Sequence, residues 1–249
     1  MTLTIESFRP VSNTPPTTAV GKVKFYGRML FDLQVLTVYR DLRKHLPGFR
    51  GNVLDVGCGQ SPYHFLLRDE STHYVGIDIS DADKFDYENS DIVPFDGEHI
   101  PFPDGHFDAV ICTEVLEHVS NFQGLVDEIH RVMRDGGGAI ITVPWSARFH
   151  YIPYDFFRYT PSSLGTMFAG FREATITPRG TDISVIASKL VVLWFRNLLP
   201  ADRRKRGLVP LWILASPLLG LVLAIAHVCT IRGKGSSDDP LGYTIVVTK

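Results

Sequence analysis

The sequence of 249 residues contains few of the features that mark specialised classes of protein. Its three cysteines, Cys58, Cys112 and Cys229, lie far apart, which argues against a disulfide framework and favours a reducing compartment. Neither a C-x-x-C nor an H-E-x-x-H spacing occurs, so we expect no metal site. The formal net charge of -2 provides no overall basic field for nucleic acid, and the N-terminus lacks the pattern of a cleavable signal peptide.

Apolar residues, in contrast, are abundant: 45% of the chain is hydrophobic, which is typical of a globular protein. The length allows one large domain, with or without an elaboration. Residues 1–20 end in a stretch rich in Pro and Thr, and we expect them to form a flexible leader. Residues 21–249 are then expected to form a single domain, within which residues 183–233 are an apolar insertion.

Short runs rich in Val and Ile alternate with helical segments from residue 52 onward. Such runs predict a parallel sheet that is covered on both faces. We therefore expect an α/β fold with a doubly wound, Rossmann-like sheet of seven strands, mostly parallel, with an antiparallel last strand. The sixth strand and the last are expected to form an antiparallel edge, because no crossover helix of the usual kind joins them. The predicted strands are NVLDVG, HYVGIDI, DIVPF, FDAVICTEV, GAIITVP, FREATITPRG and GYTIVVTK. The predicted helices are a long apolar segment that stops at Pro47, then PYHFLLRD, NFQGLVDEIHRVMRDGGG with a glycine cap, and a segment that starts at TPSSLG.

Glycines follow the first predicted strand, where Gly57 and Gly59 permit a positive φ and close approach of a ligand to the backbone. The second strand ends at Asp78, nineteen residues after Gly59, and its carboxylate can accept two hydrogen bonds from a ribose diol. Taken singly, these features also fit a plain turn and a helix cap, but together at strand ends they predict a nucleoside ligand. Pro62 replaces the third glycine of a dinucleotide fingerprint, and Asp55 would repel a pyrophosphate but can hold an ammonium group. The turn thus favours a ligand without a diphosphate.

Four motifs resemble, in the same order, those of class I S-adenosylmethionine-dependent methyltransferases: VLDVGCG, GIDIS, IPFPDGHFDAVICTEVLEHV and GGGAIITVP. The similarity covers residues 51–149 and is greatest to the type 11-like subgroup, which acts on small molecules, lipids and glycans. It implies S-adenosylmethionine as the cofactor and methyl transfer as the activity of the domain at 21–249. It does not specify the acceptor.

The resemblance also implies roles for individual residues. Only about ten residues separate the second and third strands, so the helix that the family usually has there is expected to be lost or shortened. The implied cofactor contacts are Asp55, Gly57 and Gly59 at the methionine end, Asp78 at the ribose, Asp96, Gly97 and Glu98 at the adenine, and Thr113 and Glu114 beside the sulfonium.

Two histidines are candidate general bases for a hydroxyl acceptor, because the unperturbed pKa of histidine lies near neutrality. His118 follows the fourth strand, where Glu117 and His118 would otherwise only shape a loop. His150 follows the fifth strand, in an aromatic segment that suits an acceptor pocket. The alternative is a loop that packs its aromatic side chains on the core. The candidate acceptor contacts in this segment are Tyr151, Tyr154, Asp155, Arg158 and Tyr159, of which Asp155 and Arg158 alternatively form an ion pair.

The apolar insertion contains an uncharged stretch from Gly207 to Ile231 that is long enough to cross a bilayer. The basic cluster RRKR at residues 203–206 precedes it, and such clusters favour an anionic membrane surface. Because the last strand follows the stretch, a single crossing would separate that strand from the sheet. Three arrangements remain. The stretch breaks at Pro217 into a shallow hairpin, it crosses as a pair with the apolar helix predicted just before it for ISVIASKLVVLWFRNLLP, or it is buried against protein. We favour monotopic attachment to the inner face of the membrane, with the rest of the protein in the cytoplasm.

These patterns predict a methyltransferase that acts at the membrane on a lipid, a lipid-linked glycan or another small hydrophobic acceptor. One alternative is a soluble small-molecule methyltransferase whose insertion is a lid or a dimer interface. Another is a protein that binds the cofactor without catalysis. Nucleic acid is not expected as a partner, since the basic cluster adjoins the apolar insertion and no Asn/Asp-Pro-Pro-Tyr motif follows the fourth strand. The oligomeric state and the methylated atom are left open.

Overall fold

The computed structural model describes residues 13–79, 92–200 and 203–249, and these residues form seven strands and six α-helices. The strands are β1 Asn52–Val56, β2 His73–Ile79, β3 Ile92–Phe95, β4 Phe107–Thr113, β5 Met133–Pro144, β6 Glu173–Arg179 and β7 Gly242–Thr248. The helices are α1 Ala19–Arg28, α2 Leu33–His45, α3 Phe122–Val132, α4 Pro161–Met167, α5 Asp182–Leu198 and α6 Val209–Arg232. The structure thus places the start of α1 within the predicted leader. The link between β2 and β3, residues 80–91, lies outside the described residues, and so do residues 1–12.

The seven strands form one mixed sheet in the order β3-β2-β1-β4-β5-β7-β6. β1 to β5 run parallel, whereas β7 is antiparallel to both of its neighbours. The predicted fold class is confirmed, including the antiparallel last strand. The antiparallel edge expected from the sixth strand and the last is confirmed as well, because β7 lies between β5 and β6, where Ile245 pairs with Ile141 and Ile176. The apolar β7 is buried along most of its length, while β6, which has mostly exposed side chains, takes the edge.

Alternating side chains of the central strands pack into separate cores on the two faces of the sheet. In β4, Val110 and Cys112 join the core formed with α3 and α4, whereas Ala109 and Ile111 join the core formed with α1 and α2. Helices therefore cover both faces, and the carboxyl ends of the parallel strands are left as the edge at which a ligand can bind.

The prediction of a helix over PYHFLLRD is wrong. Only a single 3-10 turn, His64–Leu66, lies between β1 and β2. Tyr63 and Leu66 of this segment are drawn into the core with α1 and α2, and the ring centroid of Tyr63 lies 6.1 Å from that of Phe25. The backbone is already extended at Leu67, so the short connection has no room for a longer helix.

Two other predicted helix boundaries also differ. The long N-terminal helix is split into α1 and α2, because the Asp32 side chain accepts a hydrogen bond from the Val35 N–H and caps a new helix. The helix predicted to end in a glycine cap stops earlier, at Val132. Met133 is already extended, and the glycines at 136–138 belong to β5.

The apolar insertion folds into a pair of helices, α5 and α6, which we call the helical hairpin (residues 182–232). The Trp194 indole N–H donates to the Trp212 carbonyl at 3.1 Å and to the Ser216 hydroxyl at 3.2 Å, so the two helices are tied together away from the sheet. α6 continues through Pro217, so the break considered there as one of three arrangements does not occur. Its 24 residues give a length of about 36 Å.

The base of the hairpin is embedded in the domain, whereas its far half is not. Val185 and Ala187 of α5 and Leu223 and Ala226 of α6 share a core with Leu33 of α2. The span Arg206–Arg232 is long and apolar enough to cross a membrane by length and composition, yet only 6% of its most apolar window is buried. Burial of this stretch within its own chain is therefore excluded.

The packing of β7 can be tested with a cavity-forming substitution. Ile245 is 0% exposed at the centre of the sheet, so we expect Ile245→Ala to lower the free energy of unfolding by about 2–5 kcal/mol in urea titrations. Ile231→Ala is the matched control, because Ile231 is 63% exposed, and its effect is expected to stay within about 0.5 kcal/mol. Equal losses in the two variants would contradict the central position of β7.

Candidate functional site

The ends of β1 and β2 form the first part of the site. Gly57 and Gly59 have φ values of +66° and +52°, and a Cβ added to Gly57 would lie 2.5 Å from the Val115 side chain. The Asp78 carboxylate accepts hydrogen bonds from the Gly59 N–H and the Ile79 N–H, each at 2.8 Å. The two strand-end features that predicted a nucleoside ligand are therefore in direct contact. Each carboxylate oxygen has a second lone pair with which a ribose hydroxyl can bond.

Asp55 lies beside this pair, buried in β1. Its Oδ2 accepts a hydrogen bond from the Tyr74 hydroxyl at 2.8 Å, whereas Oδ1 is buried and has no partner among the described residues. Burial raises the pKa of Asp55 to about 7, with a smaller contribution in the same direction from Asp78, and the bond from Tyr74 opposes the rise. An unsatisfied carboxyl oxygen of this kind fits a cationic group, such as the ammonium of S-adenosylmethionine.

The predicted adenine contacts follow β3, one strand away from Asp78. Pairing of Ile79 with Phe95 sets Asp96 at the same edge of the sheet. Asp96 Oδ1 accepts from the N–H groups of Glu98 at 2.8 Å and His99 at 2.7 Å, and these bonds lower the pKa of Asp96. Gly97, with a φ of +86°, makes the turn possible. The Glu98 N–H is thus used within the turn, and the roles of Asp96, Gly97 and Glu98 at the adenine stay predictions.

The end of β4 is held by an ion pair between a half-buried glutamate and a buried arginine, which the sequence did not reveal. Glu114 follows Thr113 with a φ of +55°, and its Oε1 accepts a 2.6 Å hydrogen bond from Nη2 of Arg179. Arg179 is 2% exposed and also donates to the Thr37 hydroxyl and the Val143 carbonyl. The only sign of this pair in the sequence was a lone arginine at the end of β6. Because 65 residues separate Arg179 from Glu114 in the chain, no local pattern links the two charges. Glu114, predicted to lie beside the sulfonium, is thereby fixed in place.

The two candidate bases lie together. The ring centroids of His118 and His150 are 4.8 Å apart. Burial, together with repulsion from His150, lowers the pKa of His118 to about 4, so His118 is neutral at pH 7 and a weak base. Glu117, which we expected only to shape the loop, is fully buried next to them, and its burial and the nearby Glu114 raise its pKa well above the ordinary value.

The segment after β5 contains the ion pair that the sequence left open as an alternative, whereas its contacts with an acceptor stay a prediction. Arg158 binds the Asp155 carboxylate in a bidentate ion pair at 2.6 and 2.9 Å, and Tyr159 donates to the Leu116 carbonyl in the core, so these three fasten the loop. Burial alone would raise the pKa of Asp155. The hydrogen bonds from His150 and Arg158 outweigh burial, so the pKa is lowered. Tyr151 lies against His118, with ring centroids 5.4 Å apart. The side chains that remain exposed on the loop are Phe149, Tyr154 and Phe156.

Comparison with known proteins adds an independent line of evidence. Residues 54–141 match a methyltransferase domain family, and this range contains every predicted cofactor residue as well as His118. The aromatic segment that contains His150 lies beyond the match. The resemblance read from the four sequence motifs is therefore confirmed.

Curated relatives match only part of the chain. A sterol 24-C-methyltransferase of Gibberella zeae is 31% identical over 107 residues, which are 36% of this chain and 26% of that protein. A demethylmenaquinone methyltransferase of Listeria welshimeri is 28% identical over 137 residues, which are 47% of this chain and 56% of that protein. The chain spans about half, or less, of the length of the curated relatives it matches.

A solved structure extends the similarity to nearly the whole chain. The fold resembles that of an S-adenosylmethionine-dependent methyltransferase from Archaeoglobus fulgidus, with a TM-score of 0.54 and 20% identity, over 91% of this chain and 99% of that one. At this identity the likeness concerns the fold alone.

The raised pKa of Asp55 predicts a pH-dependent affinity for S-adenosylhomocysteine, which has the same ammonium group as the cofactor. Below pH 7 the Asp55 carboxyl holds a proton in the free protein, and binding of a cation requires its release. Affinity measured by titration calorimetry should therefore increase as the pH rises, by up to about tenfold per unit, and level off above about pH 7. Asp55→Asn should remove this dependence. An unchanged pH profile in that variant would show that another group is responsible.

Proposed function

We propose, starting from the class I S-adenosylmethionine-dependent methyltransferase domain that this chain carries, that the protein methylates a small hydrophobic acceptor at a membrane surface. The observation that supports the cofactor most directly is the contact between Asp78 and Gly59 at the ends of β2 and β1. The location at a membrane is supported by the composition and exposure of α6, which is apolar and of which little is buried.

The chemistry is a direct displacement at the methyl carbon. S-adenosylmethionine, when bound, would supply the methyl group: the carbon–sulfur bond would break as the bond to the acceptor atom forms, which leaves S-adenosylhomocysteine. A proton leaves the acceptor in the same reaction. The protein has to align the acceptor, the methyl group and the sulfur, and to exclude water. In this arrangement Asp78 holds the ribose, Asp55 the ammonium group, and Glu114 lies near the sulfonium, fixed by Arg179.

The acceptor is hydrophobic because the surface around its entrance is apolar. The loop after β5 exposes Phe149 and Phe156, and α5 exposes Ile186 and Leu190. Lys189 connects the two elements, since its ammonium donates to the Ser146 carbonyl at 2.7 Å. A lipid, a lipid-linked glycan or a quinone-like molecule suits such a surface. The relatives named as sterol and demethylmenaquinone methyltransferases act on molecules of this kind, which supports the same class of acceptor.

The helical hairpin attaches the protein to the membrane without crossing it. Both helices expose large apolar side chains in the half that lies away from the sheet, where α6 has no buried residue before Leu223. The basic sequence at 203–206 joins the helices and suits anionic headgroups on the cytoplasmic face. The side chains of residues 203–205 lie outside the described part of the structure, and Arg206 is exposed. Lys189 and Arg196 make a paired crossing costly, which favours the monotopic arrangement.

Two other functions compete with this one. The hairpin of a soluble enzyme could instead be covered by a second copy of the chain or act as a lid. A protein that binds the cofactor without catalysis would present the same Asp78 and Gly59. The experiments below separate these functions by the location of transferred label and by the oligomeric state.

Methyl transfer can be detected without knowing the acceptor. Purified protein is incubated with host extract and S-adenosylmethionine that carries a radioactive methyl group, and lipids, glycans, proteins and nucleic acids are then separated and counted. We expect label in the lipid fraction. Asp78→Ala should lose nearly all of it, because Asp78 would no longer hold the ribose.

The matched control is Asp135→Asn, an exposed carboxylate in β5 far from the strand ends that form the site, and it should transfer label like the wild type. Label in a water-soluble fraction would favour the soluble enzyme. Cofactor binding without label in any fraction would favour the protein that lacks catalysis.

Membrane attachment can be tested by sedimentation with vesicles that contain anionic phospholipid. Leu214 and Leu218 are 78% and 66% exposed on α6, so the double variant Leu214→Glu/Leu218→Glu should fold normally. Its partitioning should fall at least about tenfold, because two charges must then enter the apolar region of the lipid.

Val93→Glu is the control, since Val93 is 37% exposed on β3, at the opposite edge of the sheet from β6. It should partition like the wild type. If the double variant still binds vesicles, the hairpin is not the anchor. If it instead converts a soluble dimer into a monomer, as light scattering would show, the hairpin is an interface between subunits.

A further inference from the structure

We propose that Glu117, His118 and His150 bind a divalent transition-metal cation, such as Zn²⁺, next to the predicted methyl-donor site. Each of the three side chains offers one ligand atom, and these atoms all lie within 4.8 Å of one another. Two neutral imidazoles and one carboxylate are a ligand set that zinc and similar cations accept. The residues come from two elements, the turn after β4 and the loop after β5, which explains why no ligand spacing was visible in the sequence.

The carboxyl group of Glu117 is the observation that points to a cation. Glu117 is 0% exposed, and both of its carboxyl oxygens are buried without a hydrogen-bond partner among the described residues. A buried polar group without a partner is costly, so such groups in native structures usually have an explanation. Oε1 faces the His118 ring, 3.7 Å from Nε2. A cation between these atoms would satisfy the carboxylate.

His118 is oriented as a metal ligand. Its Nδ1 lies 2.8 Å from the Tyr154 carbonyl oxygen. A carbonyl only accepts hydrogen bonds, so Nδ1 carries the proton, and the lone pair is on Nε2, which faces Glu117. A backbone carbonyl that binds the N–H of a ligating histidine fixes its tautomer and ring orientation, as is usual in metal sites.

His150 has the same kind of support. Its Nδ1 lies 3.0 Å from the Arg148 carbonyl oxygen and 3.5 Å from Oδ2 of Asp155. Asp155 also accepts the backbone N–H of His150 at 3.0 Å, and Arg158 in turn holds the Asp155 carboxylate. The loop after β5 is therefore fastened in a way that presents the His150 ring to His118 and Glu117.

Three protein ligands leave at least one coordination position for another group, as in catalytic rather than structural zinc sites. Glu117 follows Glu114 by three residues, so the cluster lies close in sequence to the end of β4, where the sulfonium is predicted. If the proposed methyl transfer is correct, a hydroxyl acceptor would bind there and lose its proton more readily as a metal ligand. The metal site itself does not depend on that role.

The test uses Co²⁺ as a spectroscopic probe for the untagged full-length protein after dialysis against a chelator. We expect one equivalent of Co²⁺ to bind and to produce visible absorption bands, and Zn²⁺ to displace it. Glu117→Gln and His150→Ala should each weaken binding at least about 30-fold, because each removes one of three ligands. Glu117→Gln retains the volume of the side chain, and circular dichroism checks that the variant folds. If Glu117→Gln does not fold, His150→Ala provides the same test, because His150 lies in a loop.

His130→Ala is the matched control, since His130 lies in α3 and packs against Phe171 rather than in the cluster. It should bind Co²⁺ like the wild type. Absence of stoichiometric binding, or equal binding by wild type and both ligand variants, would overturn the proposal. Stoichiometric binding that depends on Glu117 and His150 would support the metal site even if no methyl transfer were detected, and that combination would count against the proposed function alone.

Discussion

The ion pair between Arg179 and Glu114 is the contact on which the arrangement of the site depends. The Arg179 guanidinium is buried and bonds to groups from three other parts of the fold: Glu114 after β4, the Val143 carbonyl in β5 and the Thr37 hydroxyl in α2. Loss of Glu114 would leave the buried guanidinium without its counter-charge, which is destabilising. Glu114 also has a positive φ, which the surrounding structure must hold. The pair therefore fixes both the end of β4 and the turn that contains Glu117 and His118.

Two other carboxyl groups of the site, those of Asp55 and Glu117, have no arginine or lysine partner of this kind among the described residues. Asp55 and Glu117 each have buried oxygens without a partner in the described structure, and burial raises the pKa of both. Such an environment disfavours anions and is relieved by cations. The ammonium and sulfonium of S-adenosylmethionine are both cationic, as is a divalent metal ion. The charge pattern of the site thus matches the proposed occupants more closely than it would match a dinucleotide with its anionic diphosphate.

The parts of the fold and site that the sequence predicted are those set by local pattern. Val-rich runs defined the strands, and Asp78 met Gly59 because adjacent parallel strands end at the same edge. The predictions failed where contacts between residues that are distant in the sequence determine the local structure. Tyr63 is drawn into the core with α1 and α2, and this contact leaves only a 3-10 turn where the local sequence favoured a helix. Neither the Arg179 pair nor the approach of His150 to His118 leaves a local pattern, because each joins residues more than thirty positions apart.

The position of β7 in the sheet constrains the membrane arrangement. Because β7 pairs with both β5 and β6, the chain must return to the sheet after α6, so both ends of the hairpin are anchored at one place. Eight Leu, Ile and Val side chains on α6 are 49–78% exposed, and burying about half of each is worth on the order of 10 kcal/mol in total. An exposed apolar surface of this size is normally buried against lipid or protein. α5 begins three residues after Arg179, so the hairpin directly follows the residue that holds Glu114. Docking of the hairpin would therefore place the proposed acceptor entrance at the same surface.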